Sequence, residues 1–288
     1  MTSGEARGGV TRSQARAPDP LAAPPGIVDL LRKLGLYHPL RYLVRRVRGV
    51  ENYLRAKGVI VRPLVPEEEL FDCQRAAIRT LLARDPAHHW GDYLEFGVFQ
   101  GRSLSLMYRA LGEAGLHDKV RLFGFDSFEG YPQGALDEPN NYMPGGDKAE
   151  AHVARRVLTK RGVDWRCVML IKGWFSESLT PELKMRESID RVSLVNFDCD
   201  LYLSTAQALA FVGPLVHDTA IFFMDDWGTE EMINQKKAFV EFLEANPTIY
   251  AEELPNYSWE SRVFLISRGA AGQPWQERLR MMGGAPHR

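Results

Sequence analysis

The chain has 288 residues, 45% of them apolar and 25% charged, with a formal net charge of −1. That is the composition of an ordinary soluble globular protein, long enough for one large domain or two small ones with an ample core. Cys73, Cys167 and Cys199 are widely spaced and form no Cys-x-x-Cys pair, which argues against a disulfide framework or a zinc site and fits a reducing cytoplasm.

No apolar run approaches the ~20 residues of a membrane span, and the N-terminus lacks the apolar core of a secretory signal. A cytoplasmic protein without stable membrane insertion is therefore expected. The charge is unevenly placed. Residues 1–62 hold 12 Lys/Arg and 4 Asp/Glu, a net of +8, which leaves −9 on the remainder. Residues 1–25, rich in Ala, Gly, Pro and Arg, read as a disordered tail. Residues 26–65 read as a basic helical extension, with Ile27, Leu30, Leu31, Leu34 and Leu36 as its apolar members and a break near Pro39. Arg41, Arg45, Arg46 and Arg48 would suit a membrane surface, nucleic acid or a phosphorylated ligand; they would equally suit packing on the acidic remainder or on a second subunit. No aromatic stacking pattern accompanies them, so nucleic acid is not the expected partner, and a homodimer contact and a wall of a ligand site both stay open.

From Pro66 the order becomes regular. Pro66-Glu67-Glu68-Glu69 opens a helix running to about Arg84, with acids at the positive end of its dipole. Strand Asp92–Phe96, helix Arg102–Ala114 and strand Arg121–Phe125 follow. A long loop leads to helix Lys148–Arg161, strand Cys167–Ile171 and a short helical segment near Pro181. Then come strand Val192–Phe197, helix Leu203–Val216, strand Ala220–Met224 and helix Glu230–Ala245. Strands Ile249–Glu253 and Arg262–Ser267 lie too close together for a helical crossover, so they are expected to pair antiparallel at one edge. The sum is a doubly wound, mostly parallel seven-stranded α/β sheet over residues 66–268, followed by a C-terminal tail, 269–288.

The chemistry collects where strands end, the edge at which open α/β sheets bind ligands. Between the first strand and its helix lies Glu95-Phe-Gly97-Val-Phe99-Gln-Gly101-Arg-Ser103. Gly97 and Gly101 allow backbone to approach a ligand, but Phe99 breaks the dinucleotide fingerprint and no GKS or GKT follows. Glu95 would repel a phosphate and suit a sulfonium or amino group, which points towards S-adenosylmethionine (SAM) rather than NAD or ATP. An ordinary strand-to-helix turn is the alternative. Asp126-Ser127 ends the second strand, with Asp126 29 residues after Gly97, a position from which an acid accepts hydrogen bonds from ribose hydroxyls. Gly173-Trp174-Phe175 ends the third strand, on the adenine side, where the two aromatics are adenine contacts or core. The segment from Ser127 to Lys148, rich in Gly, Pro and Asn, reads as a lid.

Asp198-Cys-Asp200 follows the fourth strand and Asp225-Asp226 the fifth. Carboxylates brought together repel unless a cation or a shared proton compensates. Asp198, Asp225 and Asp226 are therefore candidate ligands of a hard divalent ion such as Mg²⁺, with strand-end or cap acids as the alternative.

Together these segments resemble the macrocin O-methyltransferase family of SAM-dependent enzymes that methylate sugar hydroxyls on antibiotics. The matching stretches are Leu94–Gly101, Asp126–Pro132, Gly173–Leu179, Asp198–Thr205 and Asp225-Asp226, covering about residues 66–268. The resemblance implies Mg²⁺ bound by Asp198, Asp225 and Asp226. Cys199 departs from the Gly that the family often has there, which puts the turn aiming Asp200 in question. The expected reaction is SN2 transfer of the SAM methyl to a hydroxyl of a small-molecule acceptor, a sugar or other vicinal diol, with Asp198 also taking the proton. His88, His89 and His152 read as structural. The competing readings are a nicotinamide-dependent oxidoreductase and a non-catalytic nucleotide-binding module.

Overall fold

The computed structural model describes residues 65–137, 142–227, 234–258, 260–269 and 275–280. The expected tail (1–25) and, but for Val65, the expected basic helical extension (26–65) lie outside these, as does the expected start of the last long helix at Glu230. In chain order the elements are α1 (Glu67–Arg84), β1 (Asp92–Phe96), α2 (Arg102–Glu113), β2 (Leu122–Asp126), α3 (Ala151–Lys160), β3 (Val168–Lys172), α4 (Phe175–Ser178), α5 (Pro181–Glu187), β4 (Val192–Phe197), α6 (Tyr202–Val212), β5 (Thr219–Met224), α7 (Asn234–Ala245), β6 (Ile249–Leu254), β7 (Arg262–Arg268), α8 (Trp275–Arg278) and β8 (Leu279–Arg280).

The strands form one sheet in the order β3-β2-β1-β4-β5-β7-β6-β8. Strands β3 to β5 pair in parallel, as crossover helices require. The connection from β6 to β7 is too short for a helix, so β7 returns antiparallel and inserts between β5 and β6. The chain crosses over at the centre, between β1 and β4. There the carboxyl ends of β1, β4 and β5 lie level, with Phe96 opposite Phe197 and Phe197 opposite Met224. That is the crevice where doubly wound sheets bind ligands.

Both faces of the sheet are covered, which is why the central strands read as continuous apolar runs. Strand β5 divides cleanly. Ala220, Phe222 and Met224 join Phe96, Phe197, Phe239 and Phe264 in the core under α6 and α7. Ile221 and Phe223 join Tyr93, Leu104, Ile78 and Leu81 in the core under α1 and α2. Among the described residues, no helix is long and apolar enough to cross a membrane, and all three cysteines are unpaired.

Boundaries differ from the expected ones for local reasons. Helix α6 ends at Val212 and tightens into a single 3₁₀ turn, Gly213–Leu215, where Pro214 has no amide to donate. Helix α3 starts at Ala151, three residues late. In the stretch expected to be a tail, Leu279 and Arg280 add a two-residue parallel strand beside Ala251 and Glu252. The buried Arg278 guanidinium donates to the carbonyls of Leu243, Asn246 and Ile249, capping the end of α7.

Candidate active site

The turn after β1 is shaped by close backbone approaches. Gly97 has φ +92°, and a Cβ there would lie 1.6 Å from the Asp198 carbonyl oxygen. Only glycine fits, because the chain leaving β4 passes directly against it. Gly101, at φ +77°, faces the Leu158 side chain of α3 at 2.9 Å. Phe99, where the dinucleotide fingerprint has glycine, takes φ +49°. Asp126 holds this turn. Its Oδ2 accepts from the amides of Val98 and Phe99 at 2.9 and 2.8 Å, and its Oδ1 accepts from the Phe128 amide at 2.6 Å. Burial pushes the Asp126 carboxyl up, and those three amides oppose the shift. Asp126 is thus a brace for the glycine turn before any ligand arrives.

Glu95 differs from expectation. It is fully buried and does not face the cavity. Its carboxyl accepts from the Tyr93 hydroxyl and, at 2.9 Å, from Ser103 Oγ. Side chains two apart on a strand share a face, so Glu95 points with Tyr93 under α2 and not into the strand-end crevice. Burial raises its pKa to about 8. Glu95 touches the cavity only through neighbours that line it, Ser103 and Asn196.

Asp198, Asp225 and Asp226 converge. Each offers a carboxylate oxygen, and these oxygens lie within 4.8 Å of one another. The strands set this: Asp198 N donates to Phe96 O at 2.8 Å and Asp225 N to Phe197 O at 2.9 Å. Burial, then mutual repulsion, drives the carboxyls of Asp198 and Asp226 well above the usual range, and burial also raises Asp225. Among the described residues, none of the three is in an ion pair. A set of convergent, uncompensated oxygen ligands at the foot of a cleft fits a hard divalent cation.

Neighbours absent from the sequence reading hold these acids. Tyr257, in the β6–β7 connection, donates its hydroxyl to Asp225 Oδ1. Gln235 Nε2 donates to Asp226 Oδ2 and to Phe197 O, both at 3.1 Å. The Asp200 amide also donates to Asp226 Oδ2, at 3.0 Å. Nothing local marks Tyr257 or Gln235, which reach the site only through tertiary folding. The turn survives Cys199 because the left-handed residue is Asp200 (φ +57°), while Cys199 packs towards the core with its Sγ 3.6 Å from Thr205 Oγ1. Tyr131, from the long segment after β2, places its hydroxyl 2.8 Å from Asp200 Oδ2 and 3.0 Å from Asp147 Oδ2.

One cavity of about 1180 Å³ joins these groups. Gly97, Ser103, Asp126, Ser127, Gly173, Trp174, Phe175, Asp198, Asp225 and Asp226 all line it; of the expected site residues Glu95 and Gly101 do not, Gly101 being turned towards Leu158. Arg102, Tyr131, Asn196, Asp200 and Tyr257 line it as well. Trp174 and Phe175 stand at the start of the four-residue α4, and the edge of Phe175 meets Phe96 with centroids 5.7 Å apart. The histidines stay apart. His88 is buried at the opposite edge, with Nε2 2.8 Å from Ser193 Oγ, and His152 is exposed beside Glu150.

Residues 71–251 match the family described as macrocin-O-methyltransferase (TylF). The chain belongs to the macrocin O-methyltransferase family. It is therefore a SAM-dependent O-methyltransferase, and the oxidoreductase and non-catalytic readings fall away. No curated protein matches it in sequence. Among solved structures, the O-methyltransferase NovP superposes with a TM-score of 0.58 at 19% identity, over 76% of this chain and 88% of that one. The calicheamicin methyltransferase CalS11 gives 0.55 at 21% identity, over 75% and 92%. Cofactor-bound Rv0187 from MTB gives 0.50 at 16% identity, over 76% and 88%. At these identities the likeness is one of fold, and it is the fold expected of a macrocin O-methyltransferase.

Proposed function

We propose that this enzyme methylates a hydroxyl of a sugar or another vicinal diol, with Mg²⁺ bound by Asp198, Asp225 and Asp226. The observation that carries this reading is the single cavity in which a glycine-rich turn meets three convergent, uncompensated carboxylates. CalS11, described as a TDP-rhamnose 3′-O-methyltransferase, supports a sugar as the acceptor class.

SAM lies along the carboxyl ends of β1 to β3. Gly97 and Ser103 would face its amino-acid portion, with Gly101 shaping the turn between them, Asp126 and Ser127 its ribose, and Gly173, Trp174 and Phe175 its adenine. Asp126 already accepts three amides, so it offers the ribose only its remaining lone pair directions. The acceptor enters over β4 and β5. A bound divalent cation would offset most of the charge of the acidic trio and lower the pKa of an acceptor hydroxyl. The acceptor oxygen attacks the methyl carbon as the carbon–sulfur bond breaks, and the electron pair passes to sulfur, leaving neutral S-adenosylhomocysteine. Asp198, closest in the chain to the glycine turn through its contact with Gly97, takes the released proton. Tyr257 and Gln235 keep Asp225 and Asp226 aimed while this occurs.

Calorimetric titration with S-adenosylhomocysteine, with and without Mg²⁺, tests the donor and metal sites together. Micromolar binding, with methylated glycoside or catechol detected by mass spectrometry only when Mg²⁺ is present, is the expected result. Turnover that persists undiminished after exhaustive chelation would remove the metal from the reading.

A further inference from the structure

We propose that Arg102 recognises the α-carboxylate of the methyl donor, an inference that rests on the donor placement above. Arg102 is the first residue of α2, between Gly101 and Ser103, and it lines the cavity on the side assigned to the donor's amino-acid portion. Its guanidinium is half-buried, and burial disfavours its charged form while the fields of Glu67, Asp198 and Asp225 favour it.

A guanidinium carries five N–H donors in a rigid fork. Among the described residues Arg102 spends one of them, from Nη2 to the Val65 carbonyl at 3.1 Å. It forms no ion pair there, because the nearest acid on α1, Glu67, is held in a two-pronged pair by Arg161. The Val65 contact fixes the plane of the group and leaves its other donors for a partner in the cavity.

That partner has to be an anion that fits a planar fork. The donor's amino-acid end carries one, the carboxylate. Its amino group and sulfonium are cations and belong nearer the acidic trio. Asp198 and Asp225 lie close enough to influence Arg102 without pairing with it. The zwitterionic donor therefore meets opposite charges at its two ends, which fixes its direction in the cavity. The neighbouring Ser103 hydroxyl, directed by Glu95, sits beside the same end.

The test compares SAM with decarboxylated SAM by calorimetry on the wild type, Arg102→Met and Arg102→Lys. The methionine keeps the length of the stem and its packing. In the wild type, SAM is expected to bind about tenfold or more tightly than its decarboxylated form. Arg102→Met is expected to lose that preference through weaker SAM binding alone, and Arg102→Lys to keep part of it. The KM for the acceptor stays unchanged in both variants. A preference retained in Arg102→Met, an equal loss of both ligands, or a rise confined to the acceptor KM would each overturn the assignment. If the wild type binds neither ligand, the donor placement itself has failed, which is a different result from any of these.

Discussion

On the side of the cavity proposed for the donor Asp126 receives three backbone amides and Glu95, behind it, two hydroxyls, whereas on the side proposed for the acceptor Asp198, Asp225 and Asp226 crowd together with no ion-pair partner among the described residues. The first group is satisfied by the protein itself and holds its shape unaided. The second is aimed by Tyr257, Gln235 and the Asp200 amide, but its crowded charge is balanced only when something positive arrives. A buried acid paired with amides costs little, while convergent carboxylates without a cation persist only if the sheet forces them together. The fold does force them, because adjacent parallel strands in register end side by side. Self-sufficiency on one side and incompleteness on the other separate the part that positions from the part that reacts.

The most severe way to break this comparison is at the seam. Gly97→Ala places a methyl on the Asp198 carbonyl, so the donor turn and the acid trio cannot both keep their places. A destabilisation above about 4 kcal/mol in chemical denaturation is expected. Normal stability in that variant would show that the turn can yield.

Asp198→Asn separates the two sides cleanly. Turnover is expected to fall roughly 10²–10⁴-fold while S-adenosylhomocysteine binds within severalfold of wild type, because the product lacks the sulfonium charge and Asp225 and Asp226 still face its amino group. Parallel loss of both, measured by steady-state assay and calorimetry, would mean that the sides are not independent.

Glu95→Gln probes the donor side by pH. The Glu95 pKa rises to about 8 in the folded chain from 4.5 when unfolded. Its protonated form therefore favours the native state, and that contribution is full below pH 4.5 and lost as pH climbs through about 8. Thermal melts of the cofactor-free wild type should decline with pH across that window more steeply than those of Glu95→Gln. Equal slopes would place the pH dependence elsewhere.

Tyr257→Phe is the gentlest probe. It removes one hydrogen bond to Asp225 and should weaken Mg²⁺ binding by about tenfold or less, with S-adenosylhomocysteine affinity unchanged.

What could be read beforehand follows the same division. The strands were legible because burial on both faces writes apolar runs into the chain. The closeness of β6 to β7 announced their antiparallel pairing. The acids were legible because each follows such a run. Glu95 misled because its place at a strand's end said nothing about which face its side chain takes; Tyr93 two residues earlier shows that it is the face under α2. Tyr257, Gln235 and Arg102 were invisible as site residues. Tyr257 arrives from a distant connection, Gln235 sits on a helix that reads as amphipathic packing, and Arg102 passes for an exposed charge at a helix start.

The contact between Gly97 and the Asp198 carbonyl also bears on how such an enzyme can change. The span from donor turn to acid is fixed by two strand ends touching backbone to backbone, so no substitution nearby can lengthen or shorten it gradually. On the proposed placement of the donor, a new acceptor must be carried to a methyl held at a set distance from the acid. The adaptable parts are the segment bearing Tyr131 and the connection bearing Tyr257, which border the cavity without setting that span. Exchanging those two stretches between relatives, and leaving the strand ends alone, is the route by which this scaffold would acquire a different substrate.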